Sequence, residues 1–183
     1  MKKKYVLLKS EKYKLIISLE EIDFDYYTDV CVELIFDKKS IILFKDNLLA
    51  LKNIINQYIE NIDILDVNLD ENRLGILLND FYLGLYENQF HDNLILDNQE
   101  RWIGEKYCCF SSLEYVTWIY KYDENIIMKV TPIFGGFEED DYLQEYCKFI
   151  QEYNDIFREA VTLQQLLCIK KMIIELYNRL FKK

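Results

Sequence analysis

Carboxylate side chains occur in clusters in this sequence and could do chemistry. Glu138, Glu139, Asp140 and Asp141 stand side by side in the stretch FEEDDYLQEY, and residues 20–25 hold a second cluster. Two carboxylates at a defined separation can perform acid–base or nucleophilic catalysis when the pKa of one partner is raised. Such acids can also hold a divalent ion or attract a basic protein. Because the sequence shows neither separations nor pKa values, a catalytic carboxylate pair stays an alternative.

His91 is the only histidine, so a histidine-activated serine or cysteine would have to use it. The sequence has no G-x-S-x-G turn that would expose a serine. Nothing places His91 near a nucleophile, and we expect a solvated loop histidine beside Asp92. The nucleophiles that could in principle partner it are Cys108, Cys109, Ser111 and Ser112.

The sequence contains no complete motif for a metal site or a phosphate-binding site. Residues 66–70 (DVNLD) match the first half of a calcium loop, but Glu71 stands where that loop needs Gly and Leu77 where it needs Glu. The pair Gly135-Gly136 lacks the Lys that follows a phosphate-binding loop. We therefore expect neither a metal nor a cofactor.

The five cysteines are odd in number and show no C-x-x-C spacing, which argues against a disulfide framework or a zinc site. Cys147 and Cys168 fall in helical patterns and are predicted to be small core residues. The first apolar run ends at Leu8, too short for a signal peptide. No stretch approaches the roughly 18–20 apolar residues of a membrane span, so we expect a cytoplasmic protein.

Charge is distributed unevenly along the chain, whose net charge is -10. Residues 1–14 and 170–183 together hold 11 of the 22 basic residues, which leaves residues 15–169 with 11 basic and 30 acidic residues. A body with a net charge of -19 would repel nucleic acid and attract a basic partner. The alternative is that the acidity only keeps the protein in solution.

Alternating apolar and polar residues predict that residues 1–45 are rich in strands. The alternation covers 13–20 and 28–37, and a short third strand is expected at 41–44. Such alternation indicates an antiparallel sheet with one buried face.

Residues 62–99 are predicted to form brief strands and exposed loops, whereas 101–134 carries a strong strand signal. Pro132 is expected at a strand end because it cannot donate to a ladder. Two faces are predicted for the strand at its centre, one with Val116, Trp118, Tyr120 and Tyr122, the other with Tyr115, Thr117, Ile119 and Lys121.

Helical spacing predicts one internal helix and two C-terminal helices. They cover 46–60, with Asp46 as N-cap and Asn61 as stop, 139–158, and 162–181, which opens with the capping box Thr162-x-x-Gln165. The predicted fold is a single α+β domain over residues 1–183, an antiparallel β-sheet meander with these helices packed on it.

Aromatic residues adjoin most of the acid clusters, a combination that complements a Lys- and Arg-rich protein through charge pairs and cation–π contacts. The alternative for any single tyrosine is that it anchors a loop to the core. The predicted partner-binding residues are Glu20, Glu21, Asp23, Asp25, Tyr26, Tyr27, Asp66, Asp70, Glu71, Tyr122, Asp123, Glu124, Glu138, Glu139, Asp140, Asp141 and Tyr142.

The stretch RWIGEKYCCFSSLEYVTWIYKYDENIIMKVTPIF and the helical pattern after it resemble the immunity proteins of bacterial polymorphic and contact-dependent toxin systems. The resemblance covers about the last 80 residues. It implies a protein without enzymatic activity that binds a cognate toxin domain, often a basic nuclease, and covers its active site or substrate channel. A phage-type inhibitor, a small-ligand-binding protein or carboxylate-based enzyme with a pocket between sheet and helices, and a structural protein are the alternatives.

Overall fold

Two four-stranded antiparallel sheets and four α-helices make up the computed structural model, which describes residues 2–20 and 27–179. The first sheet contains, in spatial order, β1 (Lys2–Lys9), β2 (Tyr13–Glu20), β3 (Asp29–Phe36) and β4 (Lys39–Asn47). The second contains β5 (Cys108–Ser111), β6 (Tyr115–Tyr122), β7 (Asn125–Pro132) and β8 (Phe157–Val161). The helices are α1 (Leu48–Glu60), α2 (Leu74–Glu87), α3 (Tyr142–Gln151) and α4 (Leu163–Asn178). The α+β class is as predicted, with two meanders where one was expected.

The strands predicted in the first third of the chain are confirmed. Leu15 and Ile17 of β2 are buried, and Ile17 lies opposite Val32 of β3, so both strands put the same face into the core. β4 is longer than the predicted 41–44 and runs directly into α1. The first sheet thus presents one continuous apolar face to the rest of the molecule.

Helix α1 begins one residue later than predicted. Asn47 is the N-cap, and its side-chain oxygen accepts a hydrogen bond from the Ala50 backbone N–H at 2.9 Å. Asp46, the predicted cap, instead accepts from the Asn47 backbone N–H. The cap shifts because β4 pairing continues through Asn47. The predicted stop at Asn61 is confirmed.

Helix α2 contradicts the prediction of strands and loops over 62–99. Leu74, Leu77, Leu78 and Phe81 are spaced as on one helical face, and all four are buried. The helix was missed because Gly and Asn residues interrupt this pattern and indicate turns. Tertiary packing outweighs their low helix propensity.

The predicted helix over 139–158 is wrong at both ends. α3 covers only 142–151, and Phe157 pairs with Val130 as the first residue of β8. Phe157 keeps a spacing of seven from Ile150, so an apolar residue of a strand falls by chance into the helical period. Pro132 ends β7, and the capping box of Thr162 and Gln165 opens α4, both as predicted.

The second sheet is buried on both faces and lies at the centre of the molecule. Ile119 and Val130 pack with the first sheet, α1 and α4 in one apolar cluster. Trp118 and Tyr120 pack with α2 in another. The predicted division of β6 into two faces is confirmed, and α2 is therefore the layer that covers the outer face.

Two cysteine predictions are wrong. Cys147 on α3 and Cys168 on α4 are exposed, because both lie on the helix sides that face away from the neighbouring elements. All five cysteines are free thiols. The cysteines in the core are those of β5, where Cys109 is buried.

Candidate partner-binding surfaces

The four consecutive acids lie on the turn before α3 rather than inside the helix. Residues 137–141 form this turn, and Asp141 occupies the N-cap position without making a side-chain capping bond. Glu138, Glu139, Asp140 and Asp141 are all exposed. None of them forms a salt bridge with another residue of the described chain. Neither a side-chain cap nor an internal ion pair therefore accounts for this charge.

A layer of aromatic rings adjoins these acids. Phe137 stacks on Tyr86 of α2 with ring centroids 5.5 Å apart, and Tyr142 meets Tyr86 edge-on at 5.1 Å. Tyr86 remains 50% exposed, and the neighbouring Leu143 remains 48% exposed. Aromatic side chains are enriched at the core of protein interfaces, whose rim is polar.

Two tyrosines of α3 donate hydrogen bonds to carboxylates of α2. The Tyr142 hydroxyl donates to Glu87 at 3.1 Å, and the Tyr146 hydroxyl donates to Asp80 at 2.7 Å. Burial, then these hydrogen bonds, raise the pKa of both phenols. The bonds hold α3 on α2 and add α2 carboxylates to the surface. We call Tyr86, Glu87 and residues 137–143 the acidic–aromatic surface.

The acids predicted at 63–71 and 123–124 are brought together at the other end of α2. The Leu65 N–H donates to the Lys121 carbonyl at 2.9 Å, and the Lys121 N–H donates to the Asp63 carbonyl at 2.8 Å. These bonds place the 62–70 loop beside the β6–β7 turn, which carries Tyr122, Asp123 and Glu124. Asp70 is exposed and Asp66 partly exposed.

Glu71 was predicted to bind a partner, but its carboxylate is buried and forms hydrogen bonds inside the protein. Glu71 Oε1 accepts hydrogen bonds from Arg158 at 2.7 Å and from the Tyr120 hydroxyl at 2.9 Å. Its backbone carbonyl accepts from the buried Lys129, which also pairs with Asp155. Glu71 therefore ties α2 to the second sheet rather than facing a partner.

The pKa of Glu71 predicts how its contribution to stability depends on pH. Burial raises this pKa, but the bonds from Arg158 and Tyr120 and the charges of Arg158 and Lys129 outweigh burial and lower it. A lowered folded-state pKa stabilises the fold above the unfolded-state value of about 4.3, and this stabilisation is lost as the pH falls through the folded-state value.

Glu71→Gln is therefore expected to lower the free energy of unfolding at about pH 7 by about 1.5–3 kcal/mol. The difference from the wild type should shrink once the pH falls below about 4.3. Urea unfolding at a series of pH values measures both. A difference that stays constant down to about pH 3 would contradict this role for the carboxylate.

The structure describes only part of the acidic and aromatic cluster predicted at residues 20–27. Glu21, Asp23, Asp25 and Tyr26 lie outside the described residues. Glu20 is exposed at the end of β2, and Tyr27 is 70% exposed. Both line a cavity of about 470 Å³ beside β2 and β3.

The candidate nucleophiles and His91 are not joined by a hydrogen bond among the described residues. His91 lies in an exposed loop after α2. Burial, followed by the nearby Glu105, raises the pKa of Cys108, and burial raises that of Cys109. An activated thiol has a lowered pKa, so these two thiols show the opposite property.

Metal ligands do not converge within residues 2–20 and 27–179, where no group of three or more His, Cys, Asp or Glu side chains is placed to hold an ion. The cavity of about 460 Å³ between the end of α1 and residues 97–106 is lined by Tyr58, Asp66, Trp102 and Glu105, among others. The buried indole N–H of Trp102 has no acceptor among the described residues. This cavity is the strongest candidate for a small-molecule site.

Several surface residues were not predicted from the sequence because α2 was not predicted. Asp80, Tyr86 and Glu87 lie on that helix. A signal was present in the i, i+3, i+4, i+7 spacing from Leu74, which would have identified the helix.

Comparisons with known proteins give no evidence about the function of this chain. No protein-family model, no curated protein and no solved structure matches this chain. Among the described residues, no helix combines the length and the apolar character needed to cross a membrane.

Proposed function

We propose that this protein is a non-enzymatic binding protein that neutralises a basic partner in the cytoplasm, as an immunity protein does with a toxin domain. The observation that carries the proposal is the acidic–aromatic surface, where residues 138–141 present four exposed carboxylates beside half-exposed aromatic rings.

The charge of this surface is complementary to a substrate channel that binds nucleic acid. Such a channel is lined by Lys and Arg, and a row of carboxylates can occupy the positions that phosphates would take. Phe137, Tyr86 and Tyr142 add apolar area for contacts that exclude water from the charge pairs. A desolvated charge pair at such an interface can contribute about 1.5–7 kcal/mol of coupling, whereas exposed pairs mainly accelerate association.

Capture of partners tests the proposal directly. The tagged protein is incubated with a lysate of its source cells at about 0.1 M and at about 0.5 M salt, and bound proteins are identified by mass spectrometry. We expect one basic, stoichiometric partner that is weakened at the higher salt. The purified partner should have an activity that an equimolar amount of this protein abolishes. A partner whose activity is unaffected would contradict neutralisation.

Removing the four charges should slow association. The variant Glu138→Gln, Glu139→Gln, Asp140→Asn, Asp141→Asn keeps the size of each side chain. We expect its association rate with the captured partner to fall by about tenfold and its dependence on salt to flatten, because charge steering sets the encounter rate. Stopped-flow or surface-based kinetics at several salt concentrations measure both.

A matched control removes the same number of charges elsewhere. Glu11, Asp37, Glu100 and Glu114 are exposed and lie outside the surface. Their amide variants should change the association rate by less than about twofold at physiological salt. Equal slowing in both quadruple variants would mean that only the net charge matters, and the acidic–aromatic surface would then not be the contact.

Binding of a small ligand is the second candidate function, favoured by a cavity of about 460 Å³ whose lining combines the rings of Trp102 and Tyr58 with the charged Arg101 and Glu105. A fragment screen by protein NMR tests this function, since a binder should shift the Trp102 indole resonance. Loss of that shift in Trp102→Phe would locate the ligand.

A further inference from the structure

The loop between α1 and α2 holds two aliphatic side chains out in solvent. Val67 is 97% exposed and Ile64 is 72% exposed, and both lie within residues 62–70. Fully burying an aliphatic side chain of this size contributes about 1.5–3 kcal/mol. The two side chains therefore offer substantial binding free energy to any partner that covers them.

Hydrogen bonds fix the backbone of this loop. The Tyr107 hydroxyl accepts a hydrogen bond from the Asp66 N–H at 2.8 Å and donates one to the Ile64 carbonyl at 2.9 Å. The loop also pairs with the end of β6 through Leu65, whose side chain is buried together with that of Leu69. We call residues 62–70 the pinned loop. Because its backbone is ordered already, a partner would lose little further entropy by binding it.

Negative charge is concentrated on the same loop as the two aliphatic side chains and on the turn beside it. Asp63, Asp66 and Asp70 belong to the pinned loop, and Asp123 and Glu124 belong to the β6–β7 turn beside it. None of these five carboxylates forms a salt bridge with a described residue.

Lys121 and Arg73 are the neighbouring cations in sequence, so acids outnumber bases here. Tyr122, which is 39% exposed, adds aromatic area at the same place. Exposed apolar side chains on a loop and turn that also carry unpaired acids are the complement of a segment that carries both lysines and apolar side chains.

We propose that the pinned loop and the β6–β7 turn form a docking surface for a basic amphipathic segment of a protein, with Ile64 and Val67 as the apolar anchors. The inference rests on the proposed function in one respect, that the partner is basic. It adds a second contact region at the opposite end of α2, about 20 Å from the acidic–aromatic surface by the length of that helix. A partner of ordinary interface size can span both.

A probe peptide tests the docking surface without knowledge of the natural partner. We would titrate the isotope-labelled protein with a helical peptide of Lys and Leu in an amphipathic order, and with an analogue in which Ser replaces every Leu. The amides of 63–70 and 122–124 are expected to shift with the first peptide and to shift much less with the second. Absence of shifts at the pinned loop with the Lys–Leu peptide would overturn the proposal.

Variants at the anchors make the test quantitative. Ile64→Ser with Val67→Ser should weaken the Lys–Leu peptide by at least about tenfold, which corresponds to 1.4 kcal/mol. The matched control is Leu113→Ser, since Leu113 is 93% exposed on the β5–β6 turn, away from this surface. Amide spectra of both variants check that each remains folded.

The outcomes separate the two proposals. Equal weakening by Leu113→Ser, or shifts confined to residues 137–143, would overturn the docking surface and leave the proposed function standing. Suppose instead that the Ile64 and Val67 variant weakens the peptide but the residue 138–141 variant does not slow a captured partner. That result would overturn the acidic–aromatic surface as the contact of the proposed function and leave the docking surface standing.

Discussion

Asp155→Ala is expected to lower the free energy of unfolding by about 3 kcal/mol, because it removes the carboxylate that pairs directly with a buried ammonium group. The side chain of Lys129 is 0% exposed in the middle of β7, and its Nζ lies 2.8 Å from Asp155 Oδ2. The other partner of Nζ is the Glu71 carbonyl, at 2.7 Å. One neutral acceptor does not replace the solvation that a charged lysine has in water. Urea unfolding followed by circular dichroism measures the loss.

A double-mutant cycle isolates the ion pair from other effects of the substitution. Lys129→Met should cost less than Asp155→Ala, because the Asp155 side chain is 31% exposed and can be solvated when its partner is gone. In the Lys129→Met background, Asp155→Ala should be nearly neutral. An equal cost of Asp155→Ala in both backgrounds would show that the ammonium group is not the cause.

Gly75→Ala is expected to destabilise the protein by about 3 kcal/mol, although alanine is the better helix former by about 1 kcal/mol. A Cβ at Gly75 would lie 1.6 Å from the Tyr153 hydroxyl oxygen and 2.6 Å from Thr131 Oγ1. Both distances are far shorter than any van der Waals contact, so α2 or the segment that carries Tyr153 must move. Close packing in the interior makes such movement costly. Thermal and urea unfolding measure the change.

The chain offers a control and a rescue for this variant. Gly135→Ala should be nearly neutral, since a Cβ there meets nothing within 4 Å and the backbone is not in the left-handed region. Tyr153→Phe removes the atom nearest to the new methyl group, so it should recover part of the stability lost in Gly75→Ala. Without any recovery, the clash with the hydroxyl would not be the reason for the loss.

Most elements governed by local patterns were predicted correctly, apart from the cap of α1 and the ends of the helix predicted over 139–158. The strands at 13–20 and 28–37, the capping box at Thr162 and the two faces of β6 all depend on residues that are neighbours along the chain. α2 was missed because its glycines and Asn79 weaken local helical preference. Asn79 is 0% exposed, and its side chain donates to the carbonyl of Gly75 and accepts from the N–H of Phe134, which satisfies its polar atoms inside the core.

The candidate surfaces were predicted in part, since sequence identified the acids but not their surroundings. Residues 138–141 were identified, whereas Tyr86 and Glu87 became part of the same surface only through the packing of α3 on α2. Ile64 and Val67 carry no local signal that distinguishes them from buried Leu65 and Leu69. Exposure depends on which side of the loop faces the sheet, which a short irregular segment does not encode.

Composition and local order by themselves determined the α+β class, the acidic body and most of the strands, because charge, alternation and capping act between residues close in sequence. The tertiary structure alone decided which acids face solvent. Glu71 and Glu138 are indistinguishable as members of acidic clusters, yet Tyr120 and Arg158 bind the first, from positions 49 and 87 residues away. Contacts over such separations form only when α2 packs on the second sheet, and they turn one carboxylate into part of the core while the other stays on the surface.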